Sequence, residues 1–113
     1  MTANSFQFEQ DYAWEDADVK IQRQIFGYNE QVMMVKVKFV KGGIGAPHKH
    51  PHTQVTYVES GVFETTIGDE TKIIRKGDGF FVHPNIVHGV VCLEDGMLVD
   101  SFAPMREDFV TSR

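Results

Sequence analysis

The sequence predicts an all-β protein, built as a sandwich or a barrel, and three features of the chain support this fold class. Short runs of β-branched and aromatic residues recur at regular intervals, and turns containing glycine or proline separate them. Residues 35–41 alternate apolar and charged side chains, which is typical of a strand with one buried face. No segment has the apolar spacing of a convincing amphipathic helix. The inward faces of such a fold can enclose a cavity for a small ligand.

Each expected strand is a run of apolar, β-branched or aromatic residues that ends at a turn signal. In chain order the strands span residues 19–26, 35–41, 55–58, 62–67, 72–75, 80–82, 87–93 and 97–102. Gly42, Gly43 and Gly45 break the second strand, and Gly68–Asp69 is the expected hairpin turn before the fifth. Residues 1–18 are too polar and irregular for an assignment.

Length and composition exclude several classes of function. With 113 residues, the chain has room for one domain with a modest core. Its formal net charge of −5 argues against nucleic-acid binding, which needs a basic surface to neutralise phosphates. The single cysteine, Cys92, cannot form an internal disulfide and is expected to be a small buried hydrophobe. Because the chain shows neither an apolar run near the ~20 residues of a membrane helix nor a secretory signal, we expect a cytoplasmic location.

Histidines are concentrated in one segment of the chain. His48, His50 and Gln54 have the parity to share one face of a strand, and a later strand can bring His88 to them. Neutral imidazole nitrogens are good ligands for zinc, iron, nickel and copper. The pattern therefore predicts a transition-metal site. The alternative for any single histidine is a role at the surface or in a hydrogen bond of the core.

The spacing of these residues resembles the first motif of the cupin superfamily. That motif is a glycine, five residues, His-x-His, three or four residues, a glutamate, six residues and a second glycine. In this chain the corresponding positions are Gly42, His48, His50, Gln54 and Gly61.

A second cupin motif resembles a downstream segment of the chain. It consists of a glycine, five residues, Pro-x-Gly, two residues, a histidine, three residues and an asparagine, and the corresponding positions here are Gly77, His83, Pro84, Asn85, His88 and Cys92. Gln54 replaces the usual Glu, His83 the first Pro, Asn85 the Gly, and Cys92 the Asn. None of these departures moves a histidine. The resemblance spans residues 42–92 and implies a cupin jelly-roll β-barrel, or double-stranded β-helix.

The same resemblance implies one divalent metal ion with ligands His48, His50, Gln54 and His88. Gln54 is neutral, so the ion would keep its full charge and act as a strong Lewis acid; the alternative for Gln54 is a hydrogen bond that supports a ligand. Zinc, nickel, manganese, iron and copper all remain possible. His52 is expected to line the pocket or to support the ligands, and His83 to lie in the pocket or at the surface.

A second set of candidate residues lies near the C-terminus. Asp100 and Phe102 share one face of the last strand, Pro104 ends that strand, and Arg106 follows it. Taken alone, the pattern is also compatible with a surface Asp, a core Phe and an Arg paired with a neighbouring carboxylate.

This tail resembles that of the pectin-degradation cupins, which linearise unsaturated uronates. The similarity extends over nearly the whole chain and includes the segments 14–16, 23–25, 33–37 and 48–54. It implies conversion of a 4,5-unsaturated monouronate, from pectin or alginate, to the linear 4-deoxy-5-ketouronate. It also implies catalytic roles for three residues: Asp100 moves the proton, Arg106 holds the substrate carboxylate, and Phe102 packs on the sugar.

Two other functions remain open for a cupin of this kind. A non-haem metal dioxygenase would contain iron and consume oxygen, and a sugar-binding cupin would bind without catalysis. The resemblance further implies a homodimer that acts on a small sugar acid. We expect a single cupin domain over residues 1–113, with an N-terminal arm at 1–18, a barrel at 19–103 and a C-terminal tail at 104–113.

Overall fold

The protein is described by a computed structural model over residues 4–111, and the predicted all-β fold class is confirmed. The described part of the chain contains eight strands in one antiparallel sheet: β1 Glu15–Asp18, β2 Ile21–Tyr28, β3 Met33–Phe39, β4 Ile44–His48, β5 Thr53–Ile67, β6 Glu70–Arg75, β7 Gly79–Val82 and β8 His88–Ala103. The strand order is β1-β2-β3-β8-β5-β6, with β4 paired to β8 and β7 paired to β5. No helix within residues 4–111 is long and apolar enough to cross a membrane.

The two longest strands, β5 and β8, each join two segments that were predicted as separate strands. The predicted breaks at residues 59–61 and 94–96 are irregularities within paired strands instead of turns. Gly61 has a φ of +88°, and a Cβ there would lie 2.6 Å from the Cα of Gly96. The glycines therefore let both strands bend together while they stay paired. As a result, β5 and β8 each contribute residues both to the core and to the site.

Three local differences from the predicted elements bear on the site. Residues 107–111 form a short helix, α1 Glu107–Thr111, and a 3₁₀ turn covers Glu9–Asp11, whereas the sequence showed no convincing amphipathic helix. Elements this short are below the length at which a helical period can be recognised. Within the N-terminal arm, β1 pairs with β2. Lastly, residues 49–52 form a loop, so His48 and His50 do not share one strand as predicted.

Two apolar clusters form the core. The first consists of Ile21, Phe39, Val58, Phe63, Cys92 and Leu98, and the second consists of Ile25, Met33, Val35 and Phe102. Cys92 is 1% exposed, as predicted. Each fully buried apolar side chain stabilises the fold by about 1.5–3 kcal/mol. Phe102 belongs to both the core and the site, so the site is built against a well-packed wall.

Strand register sets the positions of the polar residues inside the barrel. Gln54 is opposite Phe102, and Thr56 is opposite Asp100, across β5 and β8. Because alternate residues face the same side, all four lie on the inward surface of the sheet. The register thus places the pairs Gln54–Phe102 and Thr56–Asp100 next to each other inside the barrel, beside the apolar core.

Candidate metal centre

Three histidines converge at one end of the barrel. The ligand atoms of His48, His50 and His88 lie within 4.8 Å of one another. His48 ends β4 and is the cross-strand partner of His88, which begins β8. His50 lies in the following loop, and its carbonyl accepts a 2.8 Å hydrogen bond from the backbone N–H of Asn85. The cluster is therefore assembled by the pairing of the ends of β4 and β8 and by the hydrogen-bonded loop that holds His50. The three histidines do not lie on one face of a single strand.

Each of these imidazoles is oriented by a backbone carbonyl. The Nδ1 atoms of His48, His50 and His88 lie 3.0, 3.1 and 2.9 Å from the carbonyl oxygens of Ala46, His52 and Ile86. Since a carbonyl can only accept, Nδ1 carries the proton in each ring and Nε2 keeps its lone pair. This is the arrangement that presents Nε2 to a metal.

The protonation of the cluster also suits a metal. Burial lowers the pKa of His50 and His88 below the ordinary histidine value, and this favours the neutral form that binds metals. The Nε2 atom of His88 is buried and has no hydrogen-bond partner among the described residues. A buried nitrogen lone pair without a donor is costly, and a cation would satisfy it.

Gln54 is buried beside the three histidines, and its hydrogen-bond partners fix which way its side-chain amide points. Its Nε2 donates to Thr56 Oγ1 at 3.0 Å and is 3.5 Å from Asp100 Oδ1, so Oε1 faces the histidines. Oε1 lies 3.0 Å from His50 Nε2. Two lone-pair atoms at this separation fit neighbouring ligands of one ion, which are ~3 Å apart when each bond is ~2.1 Å and the angle between the bonds is about 90°. Three imidazoles and one amide oxygen thus fit a divalent transition metal.

Asp100 lies in the cavity wall next to this donor set. Its Oδ1 accepts a 2.6 Å hydrogen bond from Thr56 Oγ1. Burial raises the pKa of Asp100 to about 6, while the Thr56 hydrogen bond and the positive charge of Arg106 oppose the rise. Thr56 therefore connects Gln54 to Asp100. Thr56 is not among the residues predicted for the site, although its parity with Gln54 places both on the same face of the strand.

Arg106 combines two of the arrangements that the sequence allowed. Its Nε and Nη2 donate to the carboxylate of Asp108 at 3.1 and 3.0 Å, which is the anticipated local ion pair. Its Cζ also lies 5.1 Å from the ring centroid of Phe102 and 4.2 Å from that of Phe109. The side chain of Arg106 is only 12% exposed, and Arg106 lines the cavity. The ion pair and the two ring contacts together fix the position of the guanidinium.

One cavity of about 210 Å³ connects these groups. Its lining includes His48, Gln54, His88, Asp100, Phe102 and Arg106. His52 is outside the three-histidine group, but its carbonyl supports His50 and its ring centroid is 5.3 Å from that of His50. His83 is exposed, with its ring packed 4.8 Å from Phe81, and it does not line this cavity.

Comparison with known proteins agrees with this geometry. Residues 35–99, more than half of the chain, match the cupin domain family. The chain is 46% identical over 99 residues to the pectin degradation protein KdgF of Dickeya dadantii (strain 3937), a match that covers 86% of this chain and 90% of that protein.

Two solved structures superpose closely on the whole barrel. KdgF from Halomonas sp. matches with a TM-score of 0.91 at 36% identity, covering 96% of this chain and all of the other. An RmlC-like cupin from Shewanella frigidimarina NCIMB 400 matches with a TM-score of 0.94 at 41% identity, covering 96% and 98% of the two chains. The chain therefore belongs to the cupin family, in the branch that contains the pectin degradation protein KdgF.

Proposed function

We propose that this protein converts a 4,5-unsaturated monouronate to the linear 4-deoxy-5-ketouronate with the help of a divalent metal ion. The observation that carries the proposal is one small cavity shared by a neutral-ligand metal site, Asp100 and Arg106. Membership of the branch that contains KdgF supports the same chemistry. The reaction is an isomerisation: the C1–O5 bond of the hemiacetal breaks, C1 becomes an aldehyde, and the C5 enol becomes a ketone by protonation at C4.

The residues proposed to hold the metal are His48, His50, Gln54 and His88. A divalent ion bound there supplies Lewis-acid polarisation of substrate oxygens. The backbone carbonyls behind the imidazoles and the Thr56 hydroxyl behind Gln54 keep the donor atoms aimed at one point. The identity of the ion is not specified by this donor set, which suits several first-row metals.

Asp100 is the proposed general acid and base. The reaction needs a group that accepts a proton as the ring opens and returns one to C4. Thr56 and Gln54 both contact Oδ1 of Asp100, which leaves Oδ2 for the substrate. The carboxylate is thereby held in one orientation beside the donor set, as proton transfer requires.

Arg106 and Phe102 are proposed to position the substrate. The Nε and Nη2 atoms of Arg106 engage Asp108, and the remaining N–H groups are available for the substrate carboxylate. Phe102 is 3% exposed and forms an apolar part of the cavity wall next to the His50 ring, with 5.7 Å between the two ring centroids. It would pack on the sugar and exclude water from the reacting carbons.

The test is loss of the substrate's ultraviolet absorbance, with metal content measured on the same sample. We expect acceleration over the spontaneous rate, loss of that acceleration with chelator, and a fall of at least ~100-fold for Asp100→Asn. Asp69→Asn, in the exposed hairpin turn, is the matched control and should keep wild-type activity. A folded, metal-loaded Asp100→Asn protein with the wild-type rate would exclude the assigned role. Oxygen consumption without loss of absorbance would instead indicate the dioxygenase.

Several finer features are part of the same proposal. Elimination at 4-linked uronates removes the C4 and C5 stereocentres, so the unsaturated ends of pectin and alginate fragments share the reacting atoms and differ in configuration at C2. Both are proposed substrates. A homodimer is supported by an exposed apolar face that contains Met34, Val55, Tyr57 and Phe81, each 42–52% exposed, and sedimentation velocity would measure its mass. We also propose a cytoplasmic location and the single-domain division into arm, barrel and tail given above.

A further inference from the structure

A charged residue occupies the inward face of β2, where apolar residues are expected. Arg23 alternates with Ile21 and Ile25, which are 5% and 3% exposed and belong to the two core clusters. Its cross-strand partner is Val37, which in turn pairs with Leu98 of β8. Placing a guanidinium in such a row is unfavourable unless the charge has partners.

Arg23 lines the same cavity as His48, Gln54, His88 and Arg106. Its Nε donates to Glu15 Oε1 at 2.8 Å, and its Cζ lies 3.9 Å from the ring centroid of Phe109. The Cζ of Arg106 lies 4.2 Å from the same centroid. The two Cζ atoms are therefore at most about 8 Å apart, so one six-carbon acid can contact both side chains.

Within residues 4–111, the hydrogen bonds of both guanidiniums leave N–H groups for a ligand. The hydrogen bond to Glu15 uses Nε of Arg23, and the pair with Asp108 uses Nε and Nη2 of Arg106. In each case the Nη1–Nη2 side retains donors of the type that bind a carboxylate. These are the cationic side chains among the residues that line the cavity, in a chain whose net charge is −5.

We propose that Arg23 is a substrate-binding residue that acts with Arg106 to bind the carboxylate of the sugar acid and to select uronates over neutral hexoses. This inference rests on the proposed function and extends it to specificity. The competing explanation is structural, because Arg23 also joins β1 to β2 through Glu15 and packs on α1 through Phe109.

The test compares Arg23→Met and Arg23→Lys with Glu15→Gln in the metal-loaded protein. Glu15→Gln weakens the strand contact but leaves the guanidinium in place. For Arg23→Met we expect KM for the unsaturated uronate to rise about tenfold or more, with kcat changed much less. By calorimetry, D-galacturonate should bind correspondingly more weakly, while binding of D-galactose should not change. Arg23→Lys should show a smaller loss because it keeps the charge but lacks the planar fork, and it carries the test if Arg23→Met does not fold.

Glu15→Gln should leave KM and the preference for galacturonate over galactose near wild type. Unchanged KM and unchanged preference in the Arg23 variants would overturn the inference. So would an equal rise in KM in Glu15→Gln, accompanied by an equal loss of thermal stability, since that result indicates a structural role. Galacturonate binding does not require turnover. An inactive wild type would therefore count against the proposed function, while the binding preference would still decide the role of Arg23.

Discussion

At the scale of single residues, Thr56 is a small side chain that contacts two of the proposed site residues. Its hydroxyl donates to Asp100 and accepts from Gln54, so one small side chain orients both a proposed ligand and the proposed acid–base group. It is 2% exposed, so bulk water does not compete for these hydrogen bonds. The proposed metal chemistry and proton transfer both depend on this hydrogen-bonded link.

Thr56→Val should separate that link from packing, because valine has nearly the same shape but no hydroxyl. Two buried polar groups would each lose a partner, at a cost of about 1–3 kcal/mol in the free energy of unfolding. Metal affinity should fall about 10- to 100-fold, measured by competition with a chelator. Thr56→Ser keeps the hydroxyl and should retain most of the wild-type affinity. Equal metal affinity in Thr56→Val and wild type would show that Gln54 needs no such support.

At the scale of elements, the pairing of β5 with β8 determines the shape of the barrel. Both strands continue through irregular positions that the sequence suggested were turns, and Gly61 and Gly96 pack against each other there. Glycine was correctly identified as a break in the regular strand pattern. Whether the chain turns back or bends in place depends on the partner strand, and this information is absent from the local sequence.

Gly61→Ala and Gly77→Ala form a matched pair that tests this crossing. Both glycines have positive φ, +88° and +94°, so both substitutions carry the same backbone cost of about 1–2 kcal/mol. A Cβ at Gly77 meets nothing within 4 Å, whereas one at Gly61 meets backbone atoms of β8. We expect Gly61→Ala to lower the free energy of unfolding by at least ~2 kcal/mol more than Gly77→Ala, measured by chemical denaturation. Equal losses would mean that the crossing adjusts freely.

At the scale of the whole molecule, the metal site joins parts of the chain that are distant in sequence. It is assembled from the end of β4, the following loop and the starts of β5 and β8. A ligand that binds only this assembled state stabilises the fold by mass action. The site should therefore contribute to global stability as well as to catalysis.

Metal removal should lower the melting temperature, and metal added at 100 times its Kd should restore about 2.7 kcal/mol of stability. His88→Ala removes one donor and should abolish most of this metal-dependent shift, while His83→Ala, at an exposed position outside the cavity, should leave it intact. Differential scanning calorimetry with and without chelator measures both. An equal shift in wild type and His88→Ala would place the stabilising metal elsewhere.

The amino-acid sequence by itself determined the fold class, most strand positions and the identity of the clustered histidines. Alternation, turn residues and motif spacing are local properties, and they are written directly in the order of residues. Even so, the expected reason for the cluster was wrong, because the loop at 49–52 interrupts the strand parity that was assumed for His48 and His50.

Only the tertiary structure decided that Thr56 and Arg23 belong to the site. Thr56 meets Asp100, and Arg23 meets the ring that Arg106 also contacts, because strand register and the docking of α1 bring them together. Such contacts join residues 44 to 86 positions apart, and no local pattern encodes them. They depend on which strands pair and on how the barrel closes, and both are set by burial of the apolar core as a whole.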